Sequence, residues 1–491
     1  MFDFVRVSTN ILDEARLDSS YYSNRFLENE EKLANCSIAR EEVFKLTSLC
    51  NCGSTPKKVE YSTDGVGLIR TSDVRPNRFI LDKIARSNDC DIKDSTTAKV
   101  GDMLYTMSGT IGYACVIPEM TEEFSFSNTI ARIRLPEGSI HDIHYISTFF
   151  NSHYGYEQSL RLTSGAIQGH VMPNPFKRLK VSLPASEAQK YIGEKVRQAE
   201  RLRAWAKGLL NSSDAIISSQ FEYSLAPSMR TQPRRVSSAL LSPISLGPEF
   251  ARASEGQATF SDSMKFGDFI DICKCGDPIK SEDRVDGKYS YYGASGPIDK
   301  HNEYNFDGEY LIVAQDGSIG CANIARGKFW ANNHVWVVKL KAAYDIDSVC
   351  RYLDEHFPYW KGITTGSVVP KVTAENLLNL QIPTAIAENE HVGDLLRLSS
   401  RATSLSSILV NTAKLLVEDL IEGQLTESQL ASAQQALEAG DDSLDRALLE
   451  RMTAEGVDGE GEPLFDDIDQ LYELLDKAKQ ALDSDDTMAE A

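Results

Sequence analysis

Apolar residues recur every three or four positions along two long stretches of this chain. After Pro184 they fall at Ile192, Val196, Ala199, Leu202, Ala206 and Leu209. After Pro383 they fall at Val392, Leu395, Ala402, Leu405, Leu409 and Leu416, with Ser399 and Thr412 on the same stripe. That spacing marks one face of an α-helix. Ser186-Glu-Ala-Gln189 heads the first stretch with a capping-box pattern, the serine hydroxyl accepting from backbone N–H groups of the first turn. Each helix is predicted to run for about 38 residues, or ~57 Å at 1.5 Å per residue. Helices of that length need a partner, and the sustained stripes predict that the two pair as an antiparallel coiled coil. The simpler alternative is that each packs only on its own β domain.

Ahead of each helix the pattern is that of strands. Met103–Met107 and Tyr310–Ala314 are short apolar runs that lead into glycine-containing turns, and Ile130–Leu135 and Val335–Leu340 are rich in β-branched residues. These strands belong to a long internal repeat. Cys50-Asn-Cys52-Gly53 is answered by Cys273-Lys-Cys275-Gly276, and Gly101–Ala114 by Gly308–Ala322 with one residue inserted. Asn128–Leu135 is answered by Asn333–Leu340, Thr163-Ser-Gly165 by Thr364-Thr-Gly366, and Val181-Ser-Leu-Pro184 by Gln381-Ile-Pro383. Five matches in one order mark a duplication. The fold class is therefore α+β: two β-rich domains, each followed by a long helix. The predicted divisions are a first β-rich domain over 1–185 with its helix over 186–225, a linker over 226–263, and a second domain over 264–384 with its helix over 385–423. An acidic helical appendage over 424–491 follows. The linker is assigned from Pro227, Pro233, Pro243 and Pro248 among many serines.

Charge alters the picture only once it is mapped. The net charge of -21 opposes a grip on DNA, which depends on phosphate neutralisation by Lys and Arg. From Gln424 onward, however, the chain carries 19 acidic and 4 basic residues, so most of the excess lies in the tail and the body is nearly balanced. Any DNA grip by the chain alone is expected to be modest, with a partner supplying positive surface. No run of about 18 apolar residues marks a membrane span. Residues Met1–Leu17 are charged where a secretory segment would be apolar, and nine scattered cysteines fit free thiols. The expected location is the cytoplasm, away from any membrane.

Several strings, in order and in duplicate, carry a resemblance: Arg16-Leu-Asp-Ser-Ser-Tyr-Tyr22, Gly53-Ser-Thr-Pro56, Gly101-Asp-Met-Leu104, Ser108-Gly-Thr-Ile-Gly112, Tyr291-Tyr-Gly-Ala-Ser-Gly296, Phe306-Asp-Gly-Glu-Tyr-Leu311 and Asn332-Asn-His334. Over about residues 10 to 425 the chain resembles the specificity (S) subunit of type I restriction-modification systems. The resemblance implies a non-catalytic subunit without cofactor, in which each β domain is a target-recognition domain for one half of a split DNA site. It implies helices that act as ruler and docking posts for DNA adenine methyltransferase subunits, in a phage-defence complex that can include a restriction and translocase subunit. The acidic tail departs from a minimal member. Because the two copies differ in side chains, the double-stranded DNA target is expected to be bipartite and asymmetric.

Base edges are distinguished by paired hydrogen bonds, for which Arg, Lys, Asn, Gln, Asp, Ser and Thr are suited. In the first copy the candidates are Arg70, Thr71, Ser72 and Asp73, Ser108 with Thr110, and Ser164 with Gln168 and His170. In the second they are Tyr291, Tyr292 and Ser295, Asp316 with Ser318, Asn332, Asn333 and His334, and Thr364, Thr365 and Ser367. Lys177, Arg178, Lys361 and Lys371 are candidates for phosphate contacts. Against each stands a plainer role, since Ser-Gly and Asp-Gly form turns and an asparagine at a strand edge satisfies backbone groups. Arg230, Arg234 and Arg235 read more simply as a solvated basic loop. The doubled Cys-x-Cys-Gly lacks the second ligand pair of a zinc site, so buried strand thiols and no metal are expected.

The enzyme alternatives are poor. Asn174-Pro175-Phe176 is one proline short of the motif that holds a target adenine in methyltransferases, and no glycine-rich cofactor loop precedes it. No nuclease carboxylate cluster and no phosphate-cradling loop is present. The rival from another class is an interaction scaffold in an anti-phage complex whose acidic tail mimics DNA or docks a basic partner. An adjacent methyltransferase gene discriminates the two.

Overall fold

The computed structural model describes residues 16, 18–56, 59–81, 84–90, 93, 95–119, 122–164, 169–219, 262–280, 282, 284–357, 360, 363–365 and 369–489, with side chains to 484. They form two compact units, one drawn from Met1–Trp205 and Ala402–Ala491, the other from Ala206–Arg401.

In the first copy, β1 (Arg40–Glu42), β2 (Leu49–Cys52), β3 (Met103–Thr106), β4 (Ala114–Val116) and β5 (Ile130–Arg134) precede helix α1 (Ile143–Asn151), strand β6 (Lys180–Ser182) and the long helix α2 (Ser186–Ser219). The main antiparallel sheet has the order β2-β5-β3-β4. A second, five-stranded sheet is built from the residues between β2 and β5. In the second copy, β7 (Ser263–Lys265), β8 (Ile270–Cys275), β9 (Tyr289–Gly293), β10 (Gly296–His301), β11 (Phe306–Ala314), β12 (Ala322–Ala331) and β13 (Val335–Leu340) precede helix α3 (Ile346–Arg351), strand β14 (Gln381–Pro383) and the long helix α4 (Glu390–Glu422). Here one sheet runs β8-β13-β11-β12-β9-β10. Its first four positions repeat the order of the first copy.

The register of the main sheets follows the duplication. Cys52 faces Ala131 where Cys275 faces Trp336, and Thr106 faces Ile130 where Ala314 faces Val335. One matched pair does not hold. Val181 lies opposite Glu41 and Ile382 opposite Met264, so Pro383 stands where Ser182 does and Pro184 has no counterpart in the second ladder. Pro383 is tolerated because it ends a two-stranded ladder, where the lost N–H leaves no gap in a sheet.

Each unit takes one half of each long helix. In the first, Tyr191, Ile192 and Val196 near the start of α2 share a core with Ala413, Leu416 and Leu420 near the end of α4. In the second, Ile217 near the end of α2 shares a core with Val392 near the start of α4, and the Ser399 hydroxyl donates to the Ala206 carbonyl at 2.8 Å. Within each unit the two helices thus pass in opposite directions. The predicted stripes are the buried faces, with Leu209 and Leu395 only half-buried.

The acidic tail is helical, with α5 (Glu427–Glu438), α6 (Ser443–Leu449) and α7 (Ile468–Ala489). It is part of the first unit's core: Leu430, Ala433, Leu448, Met452 and Val457 join the cluster that holds Tyr105 and Phe149. Asp445 on α6 is buried against Lys195 on α2, whose Nζ lies 2.6 Å from both carboxylate oxygens. The hydroxyls of Tyr191 and Tyr472 donate to the same carboxylate, each at 2.5 Å.

Candidate nucleic-acid interface

Four loop segments converge in each copy, and they do so through the same backbone contacts. The first follows the parallel pairing that ends at Ile69 in one copy and Tyr292 in the other. It holds Arg70–Asp73 in the first copy and Ala294–Ser295 in the second. The second segment joins β3 to β4 as Ser108-Gly-Thr-Ile-Gly112, and β11 to β12 as Asp316-Gly-Ser-Ile-Gly320. Gly109 and Gly317 have φ of 73° and 71°, the left-handed region that glycine enters without strain. The third is a hairpin in which Ser164 pairs His170, matched by Thr365 pairing Lys371. The fourth is the turn that enters β5 or β13, Ser127–Thr129 or Asn332–His334.

The links between segments repeat as well. Met107 N–H donates to the Thr129 carbonyl at 2.9 Å, and Gln315 N–H to the His334 carbonyl at 2.8 Å. Val171 N–H donates to Met107, and Val372 N–H to Gln315, each at 2.8 Å. Ser108 bridges to His170 as Asp316 does to Lys371. Ser127 N–H reaches the Ile69 carbonyl at 2.9 Å, and Asn332 N–H the Tyr292 carbonyl at 3.0 Å. Thr110 Oγ1 contacts the Thr71 carbonyl at 3.5 Å, which ties the first segment to the second.

The side chains on this shared frame differ. In the second copy Asp316 is nearly buried and accepts from His334 Nδ1 at 2.7 Å, with Lys371 Nζ at 3.3 Å from its other oxygen. It holds an exposed imidazole and an exposed ammonium in one place. The first copy has Ser108 and His170 at the matching positions, with no fixed charge pair between them. Ser72 and Ser164 are exposed there, as are Ser295, Asn333 and Thr365 in the second copy, while Thr71, Thr110, Ser318, Tyr292 and Thr364 are half-buried.

Other candidates shape the loops. Asp73 is 3% exposed and accepts from Arg70 N–H at 2.8 Å and the Ser72 hydroxyl at 3.0 Å. Asn332 accepts from His334 N–H at 2.9 Å. Tyr291 is 3% exposed, with the Arg284 guanidinium over its ring. Lys177 and Arg178 close the short helix Pro173–Lys177, which packs on β2. Gln168, Lys361, Ser367 and the basic loop with Arg230, Arg234 and Arg235 fall outside the described residues. The turn Ser127–Thr129 was not nominated from sequence. The repeat register itself points to it, since Asn128 aligns with Asn333. A groove of about 380 Å³ opens beside Arg70, lined also by Tyr61, Thr63, Ile84 and Arg86.

The paired cysteines are strand residues. Burial pushes the Cys50 and Cys273 thiols up to about 11, and raises Cys52 as well. Cys275 differs from expectation in being exposed at the end of β8. Among the described residues no three His, Cys, Asp or Glu side chains gather as a metal site would require. Among them, too, no helix is long and apolar enough to cross a membrane.

Comparison with known proteins gives a consistent result. The family model of the type I restriction modification DNA specificity domain matches residues 40–212 and 261–396, one match per copy and well over half of the chain in total. A putative type I restriction enzyme specificity subunit of Haemophilus influenzae is 37% identical over 112 residues, which span 22% of this chain and 28% of that relative. Among solved structures, the S subunit of a type I restriction-modification system from M. genitalium aligns over 82% of this chain and 96% of its own, with 14% identity and a TM-score of 0.41. The HsdS subunit from Thermoanaerobacter tengcongensis aligns over 79% and 97%, with 13% identity and a TM-score of 0.27. Superpositions this loose add nothing to the family match. With both copies matched in turn, this chain belongs to the type I restriction-modification DNA specificity family.

Proposed function

We propose that the chain is the non-catalytic, cytoplasmic specificity subunit of a type I restriction-modification complex. It reads a bipartite, asymmetric target in double-stranded DNA and docks DNA adenine methyltransferase subunits, and where the system also cuts, a restriction and translocase subunit joins them. The observation that carries this reading is the convergence of four segments on one backbone frame in both copies, with unlike side chains. Two readers built alike address duplex DNA alike, and unlike donors and acceptors make their half-sites differ. Lys371 and His334, gathered by Asp316, suit the acceptor-rich edge of a purine in the major groove. Ser72, Ser164 and His170 offer the matching contacts in the first copy, with no single acidic residue gathering them among the described residues.

The near balance of charge outside the tail implies that phosphate contacts by this chain are few and that the partner contributes most of them. The purified chain is therefore expected to show no methyl transfer, and to bind DNA specifically only once methyltransferase subunits are added. Fluorescence anisotropy with a target and a scrambled duplex measures this, and turnover by the chain alone refutes it.

On this reading α2 and α4 set the gap between half-sites. Inserting seven residues after Ala206 lengthens α2 by ~10 Å, about three base-pair steps of 3.4 Å. Seven residues are close to two turns, so the apolar stripe is nearly preserved. Methylation mapping is expected to show a gap longer by a few base pairs with both half-sites unchanged. An unchanged gap in a folded, active variant means that the helix is not the ruler.

A further inference from the structure

Each long helix carries a glycine followed four residues later by an arginine, at the same level of its own unit: Gly193 with Arg197 on α2, Gly393 with Arg397 on α4. Both glycines face the carboxylate that caps the short helix packed on the reader sheet. Asp142 accepts from His144 N–H at 2.9 Å and Tyr145 N–H at 3.0 Å at the head of α1, and Asp345 accepts from Ser348 N–H at 2.8 Å at the head of α3. A Cβ built on Gly193 or Gly393 would collide with that carboxylate. The arginine then closes the contact. Arg197 forks onto Asp142, and Arg397 Nη1 lies 2.7 Å from Asp345 and 3.0 Å from Asp347. Asp347 is held in turn by Arg326 on β12 at 2.9 Å.

Resting on the proposed function, we propose that these two Gly–Arg–Asp clamps are positioning elements that fix the angle of each reader on the long helices, and so limit the protein to one gap between half-sites. Hydrophobic burial is non-directional and leaves a β domain free to pivot on a helix. Charge-assisted hydrogen bonds have directed geometry and do not, whether as the fork of Arg197 onto Asp142 or as the bridge of Arg397 Nη1 between Asp345 and Asp347. Glycine within a helix weakens it relative to alanine, and here the space it leaves is filled by the capping carboxylate. Through α1, which packs on β4, and α3, which packs on β11 and β12, the clamp reaches the strands that carry the reading loops. Gly208, also on α2, has nothing within 4 Å of its would-be Cβ and serves as the matched control.

The test uses the full chain in its complex and two readouts. Spin labels carried by unnatural amino acids at Lys300 and Ser400, both exposed in the second unit, report the angle between reader and helix; exposed Cys275 argues against thiol labelling. The distance distribution is expected to broaden in Arg397→Ala and Gly393→Ala, less in Arg397→Lys, which keeps the charge but not the planar guanidinium that reaches Asp345, Asp347 and Asp394 at once, and not in Gly208→Ala. In methylation maps the first two variants should modify sites with gaps one base pair longer or shorter about tenfold more than wild type does, the factor set by one charge-assisted hydrogen bond. Both half-site sequences should stay unchanged. Narrow distributions in Arg397→Ala and Gly393→Ala, or a uniform loss of methylation at a single retained gap, overturn the proposal. A wild-type map without a bipartite motif would sink the proposed function instead, while the distance readout still decides whether the clamp sets the angle.

Discussion

Replacing Lys195 with methionine is expected to cost the first unit about 3 to 5 kcal/mol, the usual penalty for stranding one partner of a buried ion pair. Lys195 and Asp445 are both buried, with side chains 0% and 1% exposed. Burial alone would raise the pKa of Asp445. Burial is the largest single influence, and the Lys195 charge and the hydrogen bonds from Lys195, Tyr191 and Tyr472 outweigh it only together, so the carboxyl stays below its ordinary value and ionised. Without Lys195 that charge keeps, among the described residues, the hydroxyls of Tyr191 and Tyr472 as hydrogen-bond partners. The double variant Lys195→Met with Asp445→Leu removes the charge as well as its partner, and should recover to within about 1 kcal/mol of wild type, because a buried pair and an apolar pair of similar volume are often near parity. Urea unfolding followed by fluorescence measures both midpoints. A single variant as stable as wild type would mean that Asp445 takes a proton or finds water, and that the tail is held by its apolar contacts alone.

That pair also shows where the sequence stops being legible. Tail helices were readable from apolar spacing, but nothing marks Lys195 and Asp445, 250 residues apart, as neighbours. The duplication was readable because strands and turns repeat residue types in order, and the observed ladders follow it from Cys50–Gly53 to the Ser164 hairpin. It misled at Pro184 and Pro383, where two prolines placed by like roles before a helix are not equivalent in register. Of the candidate interface, the loops with Ser-Gly and Asp-Gly are nominated in the sequence by their hydrogen-bonding side chains, although the same dipeptides also fit plain turns. The buried members Asp73, Asp316 and Asn332 were found by type, without the burial that makes them supports for their exposed neighbours. Nothing in the sequence sets Gly193 and Gly393 apart from any other glycine in a helix. Only their partner carboxylates, Asp142 and Asp345, reveal why a side chain is absent there.

The second large effect concerns the readers as separable modules. The chain enters and leaves the second reader through one small ladder, β7 with β14, as it does the first through β1 with β6. Phe266 N–H donates to the Leu380 carbonyl just inside that ladder, at 2.7 Å, and Val43 N–H to the Leu179 carbonyl at 2.9 Å in the first copy. Replacing residues 266–383 with the matching part of a relative therefore exchanges strands, turns and all four reading segments while leaving α2 and α4 intact. Specificity between cognate and foreign half-sites typically spans several kcal/mol, since each mismatched base pair costs about 1 to 3 kcal/mol, so the change of target should be complete. Long-read methylation mapping of cells carrying the chimaera and its methyltransferase is the most direct measurement. The account predicts a new motif in which one half-site is replaced, the other is retained and the gap is unchanged. A motif altered in both halves, or in neither, from a folded and active chimaera would contradict it.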